Sequence, residues 1–242
     1  MIAHRGNSRV APENTLPAFS SAVSLGVDGV ELDYRHSGDN VPLVFHDETL
    51  DRTTNVCDLW REREMPLAAR SLGELRQLDA GSWFDRKFSG ARIPTLGEAL
   101  NVIQAGAMGV IERKSGDPAT TVELLRAKDL LDKVVVQAFD WEFLRACHKL
   151  APNLALVALG EKTLSADALR DIVALGACGI GWEDESTDQD LIERSHARGL
   201  KVWVWTCDDL ERMRTLMTWG VDGLISNIPK AALELRASME QV

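Results

Sequence analysis

The residues best suited to chemistry are acidic and basic groups at the ends of short apolar runs. Glu31 and Asp33 stand two positions apart at the end of one run, and Glu112 and Lys114 have the same spacing at the end of another. Residues two apart on a strand project from the same face, so each pair is predicted to share a face. Three carboxylates on the inner face of a closed sheet repel one another unless a cation lies among them. Oxygen ligands favour a hard divalent ion, Mg²⁺ or Ca²⁺ and also Mn²⁺, over Zn²⁺.

Two histidines and two basic residues accompany these acids. His4 and Arg5 end the first apolar run, and His46 ends the third. Imidazole titrates near neutral pH, so the histidines are predicted to form an acid/base pair, although a lone histidine more often makes a structural hydrogen bond. Arg5 offers a fork and Lys114 a point charge for phosphate oxygens. Together these groups predict chemistry on a phosphoryl ester; ordinary salt bridges of the acids with Arg5, Arg113 and Lys114 are the alternative interpretation.

The net charge narrows the classes of substrate and partner. The 242 residues carry 27 Lys and Arg against 37 Asp and Glu, which gives a formal net charge of −10. Proteins that bind nucleic acid normally have an excess of basic residues, so nucleic acid is excluded as a partner. An anionic substrate needs local positive charge, which a bound metal ion would supply. Most of the remaining acidic residues are interpreted as solvated surface.

Motifs of several other enzyme classes do not occur in the sequence. It contains no GxxxxGK[ST], HExxH or GxSxG pattern. Its four cysteines form no CxxC pair and are interpreted as reduced thiols. No apolar run is long enough to cross a membrane, and no basic-then-apolar leader precedes the first run. These features predict a cytoplasmic protein without membrane insertion.

Short apolar runs rich in β-branched residues alternate with amphipathic segments, which predicts an α/β protein with parallel strands. The predicted strands are Met1–Arg5, Val27–Tyr34, Val41–His46, Met108–Lys114, Val134–Phe139, Leu154–Leu159, Gly179–Glu183, Lys201–Thr206 and Gly223–Asn227. Too few residues separate the second and third runs for a parallel crossover, so the third must fold back as an antiparallel hairpin arm. This pairing would bring His46 beside Glu31 and Asp33. Eight parallel strands remain, which predicts a (β/α)₈ TIM barrel with its chemistry at the C-terminal strand ends.

Helix starts and one irregular stretch complete the predicted organisation. Capping residues begin helices at Leu16–Leu25, Leu96–Gln104, Trp141–Leu150, Ala166–Leu175 and Asp209–Trp219. Residues from about 47 to 93 are interpreted as a small insertion after strand two, on the rim of the barrel, with a short helix at Leu72–Leu78. Its Trp83 and Phe84 either close the pocket or pack the insertion onto the barrel. Trp205, near a strand end, either fills the core or walls a ligand pocket. Residues 1–242 are predicted to form one domain.

A series of short motifs follows in a fixed order along the chain. They are His4–Gly6, Ala11–Thr15, Glu31–Asp33, His46–Asp47, Leu50–Thr54, Ile93–Leu96, Ile111–Lys114, Val204–Thr206 and Gly220–Gly223. In this order the chain resembles the glycerophosphodiester phosphodiesterase family over essentially its whole length. The resemblance implies a TIM barrel of the phosphatidylinositol-phospholipase-C-like superfamily. Such an enzyme would hydrolyse a glycerophosphodiester, a small-molecule substrate, to sn-glycerol 3-phosphate and an alcohol.

The resemblance also implies roles for single residues. The matching positions are Glu31, Asp33 and Glu112 for the metal ion, His4 and His46 for acid/base catalysis, and Arg5 and Lys114 for the phosphate. Asn14 is expected to hold the rim loop. Two strand ends depart from the family pattern: Ala138-Phe139 follows Gln137 where Ser-Phe is usual, and Ser226-Asn227 stands where Thr-Asp is usual. Neither is an expected ligand, so the departures are expected to affect substrate choice rather than to abolish activity.

The implied mechanism leaves alternatives open. His4 is expected to deprotonate the nucleophile and His46 to protonate the leaving alkoxide, with the exchanged assignment as the alternative. The nucleophile is water or a hydroxyl of the glycerol, which would give a cyclic phosphate. Other functions considered are a phospholipase-D-like hydrolase of lysolipid phosphodiesters, a non-catalytic binding barrel and a sugar-phosphate barrel enzyme. The sequence carries no signal for the headgroup alcohol or the oligomeric state.

Overall fold

A computed structural model describes residues 1–240, and contacts between these residues divide them into two units. The N-terminal unit is Arg5–Gly116. The C-terminal unit combines Met1–His4 with the described residues from Asp117 onward. Apart from His4 and Trp205, the predicted site residues all belong to the N-terminal unit.

The regular elements alternate along the chain as the apolar pattern predicts. The strands of the described residues are β1 (Ile2–Ala3), β2 (Gly29–His36), β3 (Pro42–Val44), β4 (Met108–Arg113), β5 (Val134–Ala138), β6 (Ala155–Gly160), β7 (Gly179–Glu183), β8 (Lys201–Trp205) and β9 (Gly223–Ser226). The α-helices of the same residues are α1 (Leu16–Ser24), α2 (Val56–Leu59), α3 (Leu72–Leu75), α4 (Leu96–Ile103), α5 (Pro118–Ala127), α6 (Trp141–Leu150), α7 (Ala166–Ala174), α8 (Gln189–His196), α9 (Leu210–Thr218) and α10 (Pro229–Met239). Short 3₁₀ helices occur at Leu67–Ala69, Arg86–Phe88 and Asp184–Ser186.

The N-terminal unit contains the predicted hairpin. Strand β3 pairs antiparallel with β2, with Val44 opposite Tyr34, whereas β4 pairs parallel with β2. Just beyond β3, the Phe45 N–H donates to the Asp33 carbonyl oxygen at 2.9 Å. The chain therefore reaches His46 next to Asp33, as the short connection between the two apolar runs predicts.

The insertion between β3 and α4 has a hydrophobic cluster of its own. Its buried members are Leu43, Phe45, Leu50, Val56, Leu67, Leu75, Leu78, Ala80 and Ile93. The Trp83 and Phe84 rings meet edge to face at 5.6 Å, and the Trp83 indole N–H donates to the Ala80 carbonyl oxygen at 2.9 Å. These contacts anchor the two aromatic residues within the insertion, where Trp83 stays 41% exposed.

Helix α4 begins at the predicted capping box. The Thr95 hydroxyl accepts from the Glu98 N–H at 3.2 Å, and the Glu98 carboxylate accepts from the Thr95 N–H at 2.9 Å. Two N–H groups that the first turn would leave unsatisfied are thereby bonded. The cap fixes the start of the helix that leads into β4, which carries Glu112.

The C-terminal unit is a parallel sheet in the strand order β1-β9-β8-β7-β6-β5. Helices α6 to α9 connect β5 to β9 in turn, α5 precedes β5, and α10 follows β9; α5, α8 and α10 lie outside the predicted set. Because the strands are parallel, their carboxyl ends share one edge of the sheet. His4, Phe139, Trp205 and Asn227 lie at strand ends on that edge.

Two further observations concern the whole of the described chain. No helix within residues 1–240 has both the length and the apolar character to span a bilayer. All four cysteines are free thiols; Cys147 and Cys207 are buried, whereas Cys178 is exposed.

Candidate active site

A buried carboxylate cluster lies on β2 and β4. Glu31 and Asp33 share one face of β2, and the parallel register places Glu112 opposite Asp33. Glu31 and Asp33 are each 1% exposed and Glu112 is 9% exposed. One carboxylate oxygen from each residue lies within 4.8 Å of the other two. The structure therefore brings together the three residues that the sequence predicts as metal ligands, and they could hold a cation.

Burial and mutual repulsion make two carboxylates of this cluster, those of Glu31 and Glu112, hard to ionise. Burial, together with the charges of Asp33 and Glu112, raises the pKa of Glu31 well above its ordinary value. Burial and the charge of Asp33 raise the pKa of Glu112 from 4.5 to about 7, although Lys114 acts in the opposite direction. A cation among the three oxygens would relieve the repulsion and favour the ionised forms.

Arg5 and Lys114 both contact the carboxylate cluster. The Arg5 main-chain N–H donates to Glu31 Oε2 at 2.9 Å, and Arg5 Nε lies 3.2 Å from Asp33 Oδ2. Lys114 Nζ lies 3.3 Å from Asp33 Oδ1 and also contacts Glu112 Oε1. Salt bridges from Arg5 and Lys114 are thus present, as the alternative interpretation of the acids expected. Three carboxylates nevertheless face two cations, so full ionisation of the three acids would leave the cluster with an excess of negative charge.

Asn14 holds Asp33 at two points. Its Nδ2 donates to Asp33 Oδ2 at 2.8 Å, and its Oδ1 accepts from the Asp33 N–H at 3.2 Å. The Asn14 N–H in turn donates to the Arg5 carbonyl oxygen at 3.0 Å. Asn14 has a φ of 57°, a left-handed conformation that asparagine tolerates better than most residues. The resemblance predicts that Asn14 holds the rim loop; in the structure its side chain bonds Asp33, an acid of the cluster.

His46 is held by the residue that follows it. Its Nδ1 lies 2.6 Å from Asp47 Oδ1, and its carbonyl oxygen accepts from Arg35 Nε at 2.8 Å. Although burial acts to raise it, the pKa of Asp47 is lowered to about 2 by hydrogen bonds from Arg52 and His46. An ionised carboxylate only accepts, so Nδ1 carries a proton and Nε2 is the basic nitrogen of the neutral ring. Burial lowers the pKa of His46, and the nearby charge of Arg5 adds to this effect against the opposing charge of Asp33.

His4, in the C-terminal unit, contacts an amide instead of a carboxylate. Its Nδ1 lies 2.8 Å from Asn227 Oδ1, while Asn227 Nδ2 donates to Asp208 Oδ2 at 2.8 Å. Because the Asp208 carboxylate accepts, it fixes the orientation of the amide and leaves Oδ1 facing His4. The His4 ring therefore donates through Nδ1. The departure at position 227 thus lies in direct contact with a predicted catalytic histidine, a contact that the sequence analysis missed.

Trp205 lies at the end of β8 with an aromatic neighbour. Its indole N–H donates to the Gly181 carbonyl oxygen at 2.9 Å, which fixes the plane of the ring. Phe139, which follows β5, meets Trp205 edge to face at 5.6 Å and is 46% exposed. Gln137, at the other departure from the family pattern, is buried in β5. An aromatic pair at the carboxyl edge, with Phe139 exposed and Trp205 half-buried, is suited to forming the wall of a ligand pocket.

Comparison with known proteins identifies the family. A family model described as glycerophosphoryl diester phosphodiesterase matches residues 4–231. A glycerophosphodiester phosphodiesterase of Caldanaerobacter subterraneus is 35% identical, over 97% of this chain and 96% of that protein. The chain belongs to the glycerophosphoryl diester phosphodiesterase family. The prediction that it is an enzyme of this class is confirmed.

The fold of this chain is similar to the folds of solved phosphodiesterases. An Oleispira antarctica phosphodiesterase, solved with the product sn-glycerol-3-phosphate, has a TM-score of 0.89 at 30% identity, over 98% of this chain and 96% of that chain. A glycerophosphodiester phosphodiesterase of Agrobacterium tumefaciens has a TM-score of 0.80 at 32% identity, over 98% of both chains. The predicted fold class, a (β/α)₈ TIM barrel with a small insertion after strand two, is confirmed for this member of the phosphodiesterase family.

Proposed function

We propose that the protein hydrolyses a water-soluble glycerophosphodiester to sn-glycerol 3-phosphate and an alcohol. The observation that carries the proposal is the buried cluster of Glu31, Asp33 and Glu112 with Arg5 and Lys114 against it. Burying so many acidic and basic side chains close together costs free energy, and such clusters are typical of sites that bind a charged ligand. Family membership and the product bound to the Oleispira antarctica relative support the same substrate class.

The chemistry of the donor set fits one divalent cation. Glu31, Asp33 and Glu112 offer only oxygen atoms, which suits Mg²⁺, Ca²⁺ or Mn²⁺. When all three are ionised, their excess of negative charge over Arg5 and Lys114 would repel a phosphodiester unless further positive charge were present. When bound, the ion would polarise the phosphoryl group and neutralise charge on its oxygens. The three acids are accordingly assigned as its ligands.

His4 and His46 are assigned to proton transfer. Each ring has its Nδ1 engaged, by Asn227 and Asp47 respectively, so each presents Nε2 to the reaction. His4 Nε2 takes the proton of the attacking water, whose oxygen forms the new bond to phosphorus. The bond from phosphorus to the alcohol oxygen breaks, and His46, which in this assignment starts protonated on both ring nitrogens, gives its Nε2 proton to that oxygen. The glycerol hydroxyl can replace water as nucleophile, and water then opens the cyclic phosphate.

A second assignment of the two histidines is supported by one observation. Burial lowers the pKa of His46, which favours its neutral form and suits a general base. His46 would then activate the nucleophile and His4 would protonate the alkoxide. The products are the same, and the two assignments differ in how each histidine variant responds to the leaving group.

The remaining groups of the site are assigned to the phosphate and the alcohol. Although burial acts to lower it, the pKa of Arg5 is raised by Asp33, Glu13 and Glu31, so its guanidinium stays charged. Burial likewise acts to lower the pKa of Lys114, but the charges of Asp33 and Glu112 raise it overall. Both groups are assigned to the phosphate oxygens. Trp205 is assigned to the wall of the pocket that would hold the alcohol group of the substrate.

The domain organisation and the location follow from the same proposal. The family model matches residues 4–231, which supports one catalytic domain over residues 1–242 with an insertion at about 47–93. The four free thiols support a reducing compartment, and we place the enzyme in the cytoplasm.

Release of sn-glycerol 3-phosphate tests the proposed function. Purified protein is incubated with glycerophosphocholine, glycerophosphoethanolamine, glycerophosphoglycerol and, separately, lysophosphatidylcholine micelles. We expect sn-glycerol 3-phosphate from at least one soluble diester, and little turnover of the micelles. Lysophosphatidic acid formed from micelles at a higher rate than any soluble product would favour the phospholipase-D-like alternative. Absence of turnover on every substrate would support a binding barrel.

A further inference from the structure

The guanidinium of Arg52, in the insertion, bridges two carboxylates. Its Nη1 and Nη2 donate to the two oxygens of Glu13 at 2.8 and 2.7 Å. Its Nε and Nη2 donate to the two oxygens of Asp47 at 2.6 and 3.0 Å. A planar fork can satisfy two carboxylates in this way, whereas the single ammonium of lysine cannot.

The two acids that Arg52 holds each contact a group of the proposed site. Asp47 accepts from His46 Nδ1 at 2.6 Å. Glu13 accepts from Arg5 Nη1 at 2.8 Å, and Arg5 continues to Asp33 through its Nε. A continuous chain of charged hydrogen bonds therefore runs from the imidazole of His46 through Arg52 to the guanidinium of Arg5.

We infer that Arg52 is a positioning residue that fixes the orientations of His46 and Arg5 together. It acts through Asp47 and Glu13, and no contact with the substrate is required of it. Its side chain is 46% exposed, and an exposed ion pair adds little to stability, so its main effect is on geometry. The inference rests on the proposed function, because it assumes that His46 and Arg5 serve the reaction.

Turnover of Arg52→Ala and Arg52→Lys tests the inference against a matched control. Arg70, in the same insertion, also bridges two carboxylates, those of Glu62 and Glu74. We expect Arg52→Ala to lower kcat by about 10- to 100-fold, the range seen when groups that orient active-site ligands are removed. Arg52→Lys keeps the charge but loses the fork, and a smaller loss is expected. Arg70→Ala is expected to keep the kcat of the parent protein.

Two further measurements separate positioning from a general loss of structure. Guanidinium added below denaturing concentrations should restore part of kcat to Arg52→Ala and none to Arg52→Lys, whose ammonium occupies the space. In long-range ¹⁵N spectra, assigned with His46→Ala, the His46 ring should show a fixed Nδ1–H in the parent protein and a mixture of tautomers in Arg52→Ala. The spectra do not depend on turnover, so they test the inference even if the proposed function fails.

The inference is overturned if Arg52→Ala is folded and keeps both the parent kcat and the parent His46 spectrum. It is also overturned if Arg70→Ala loses as much activity as Arg52→Ala, since the loss would then follow from any disturbance of the insertion. If Arg52→Ala does not fold, Arg52→Lys decides: an unchanged kcat and His46 spectrum contradict the inference. A parent protein that turns over no glycerophosphodiester contradicts the proposed function instead.

Discussion

Glu112→Gln is predicted to stabilise the metal-free protein at alkaline pH and to reduce the rise in Tm that added metal ions cause. Glutamine has nearly the volume of glutamate but no charge, so the substitution removes a buried carboxylate that lies opposite Asp33. Burial and Asp33 raise the pKa of Glu112 in the folded protein from 4.5 to about 7. The folded state thus binds the Glu112 proton more tightly than the unfolded state does. The stability that this provides is complete below the unfolded pKa and is lost as the pH rises through 7.

The size of the effect follows from the two pKa values. A pKa raised from 4.5 to about 7 means that ionising Glu112 lowers the free energy of unfolding by about 3 kcal/mol once the pH is above both values. Glu112→Gln removes this cost, so at pH 8 in chelator its Tm should exceed that of the parent by about 6 to 12 °C for a chain of this size. Near pH 4 the difference should vanish. Calorimetric or circular-dichroism melts at both pH values measure it.

Metal ions and a second glutamate provide the controls for Glu112→Gln. Added Mg²⁺, Ca²⁺ or Mn²⁺ should raise the Tm of the parent protein more than that of the variant, because the variant lacks one ligand. Glu98 lies in the cap of α4, where, against the effect of burial, the Thr95 N–H lowers its pKa. The stability that the Glu98 carboxylate contributes is present above its unfolded pKa and is lost at acid pH. Glu98→Gln should therefore lower the Tm at pH 8. A metal-free Glu112→Gln less stable than the parent at pH 8 would refute the reasoning.

Other predictions concern the histidines, the amide beside His4 and the cap of α4. His4→Ala and His46→Ala should each lower kcat by roughly 10²- to 10⁴-fold, and near-native turnover by both would contradict their roles. The variant lacking the general acid should lose far less activity on a p-nitrophenyl diester, whose leaving group needs no proton, and this comparison decides which histidine is the acid. Asn227→Leu should lower kcat by about fivefold through the loss of a hydrogen bond worth about 1 kcal/mol, and unchanged turnover would show that His4 is oriented by other groups. Thr95→Ala should lower the free energy of unfolding by about 1 kcal/mol in denaturant titrations while leaving kcat unchanged, and a change in kcat would show that the cap also shapes the site.

The strand pattern predicted the carboxylate cluster because the relevant spacings are short. A period of two places Glu31 and Asp33 on one face, and the short link to β3 forces the hairpin that leads to His46. The opposition of Asp33 and Glu112 depends on the register of β2 and β4, which the strand-end rule for barrels anticipates without giving its exact pairing.

The orienting contacts were not predictable because they join distant parts of the chain. Arg52 and Glu13 are 39 positions apart, and His4 and Asn227 are 223 apart. No local spacing reports such pairs. The helices that were not predicted differ in how clearly the sequence marks their starts. Helices α5 and α8 are capped by the side chains of Asp117 and Asp188, and these N-cap residues were a usable signal. Helix α10 begins after Ile228 with no side-chain cap, so only its proline at the first turn marks the start.

Release of sn-glycerol 3-phosphate with and without a metal chelator tests the central claim most directly. The claim is that Glu31, Asp33 and Glu112 hold a divalent ion that the hydrolysis requires. The rate is measured on the best soluble diester, then in excess chelator, and again after Mg²⁺, Ca²⁺ or Mn²⁺ is added back. We predict that the chelator abolishes release and that at least one of these ions restores it, with a weaker restoration in Glu112→Gln. Full activity in excess chelator would contradict the claim.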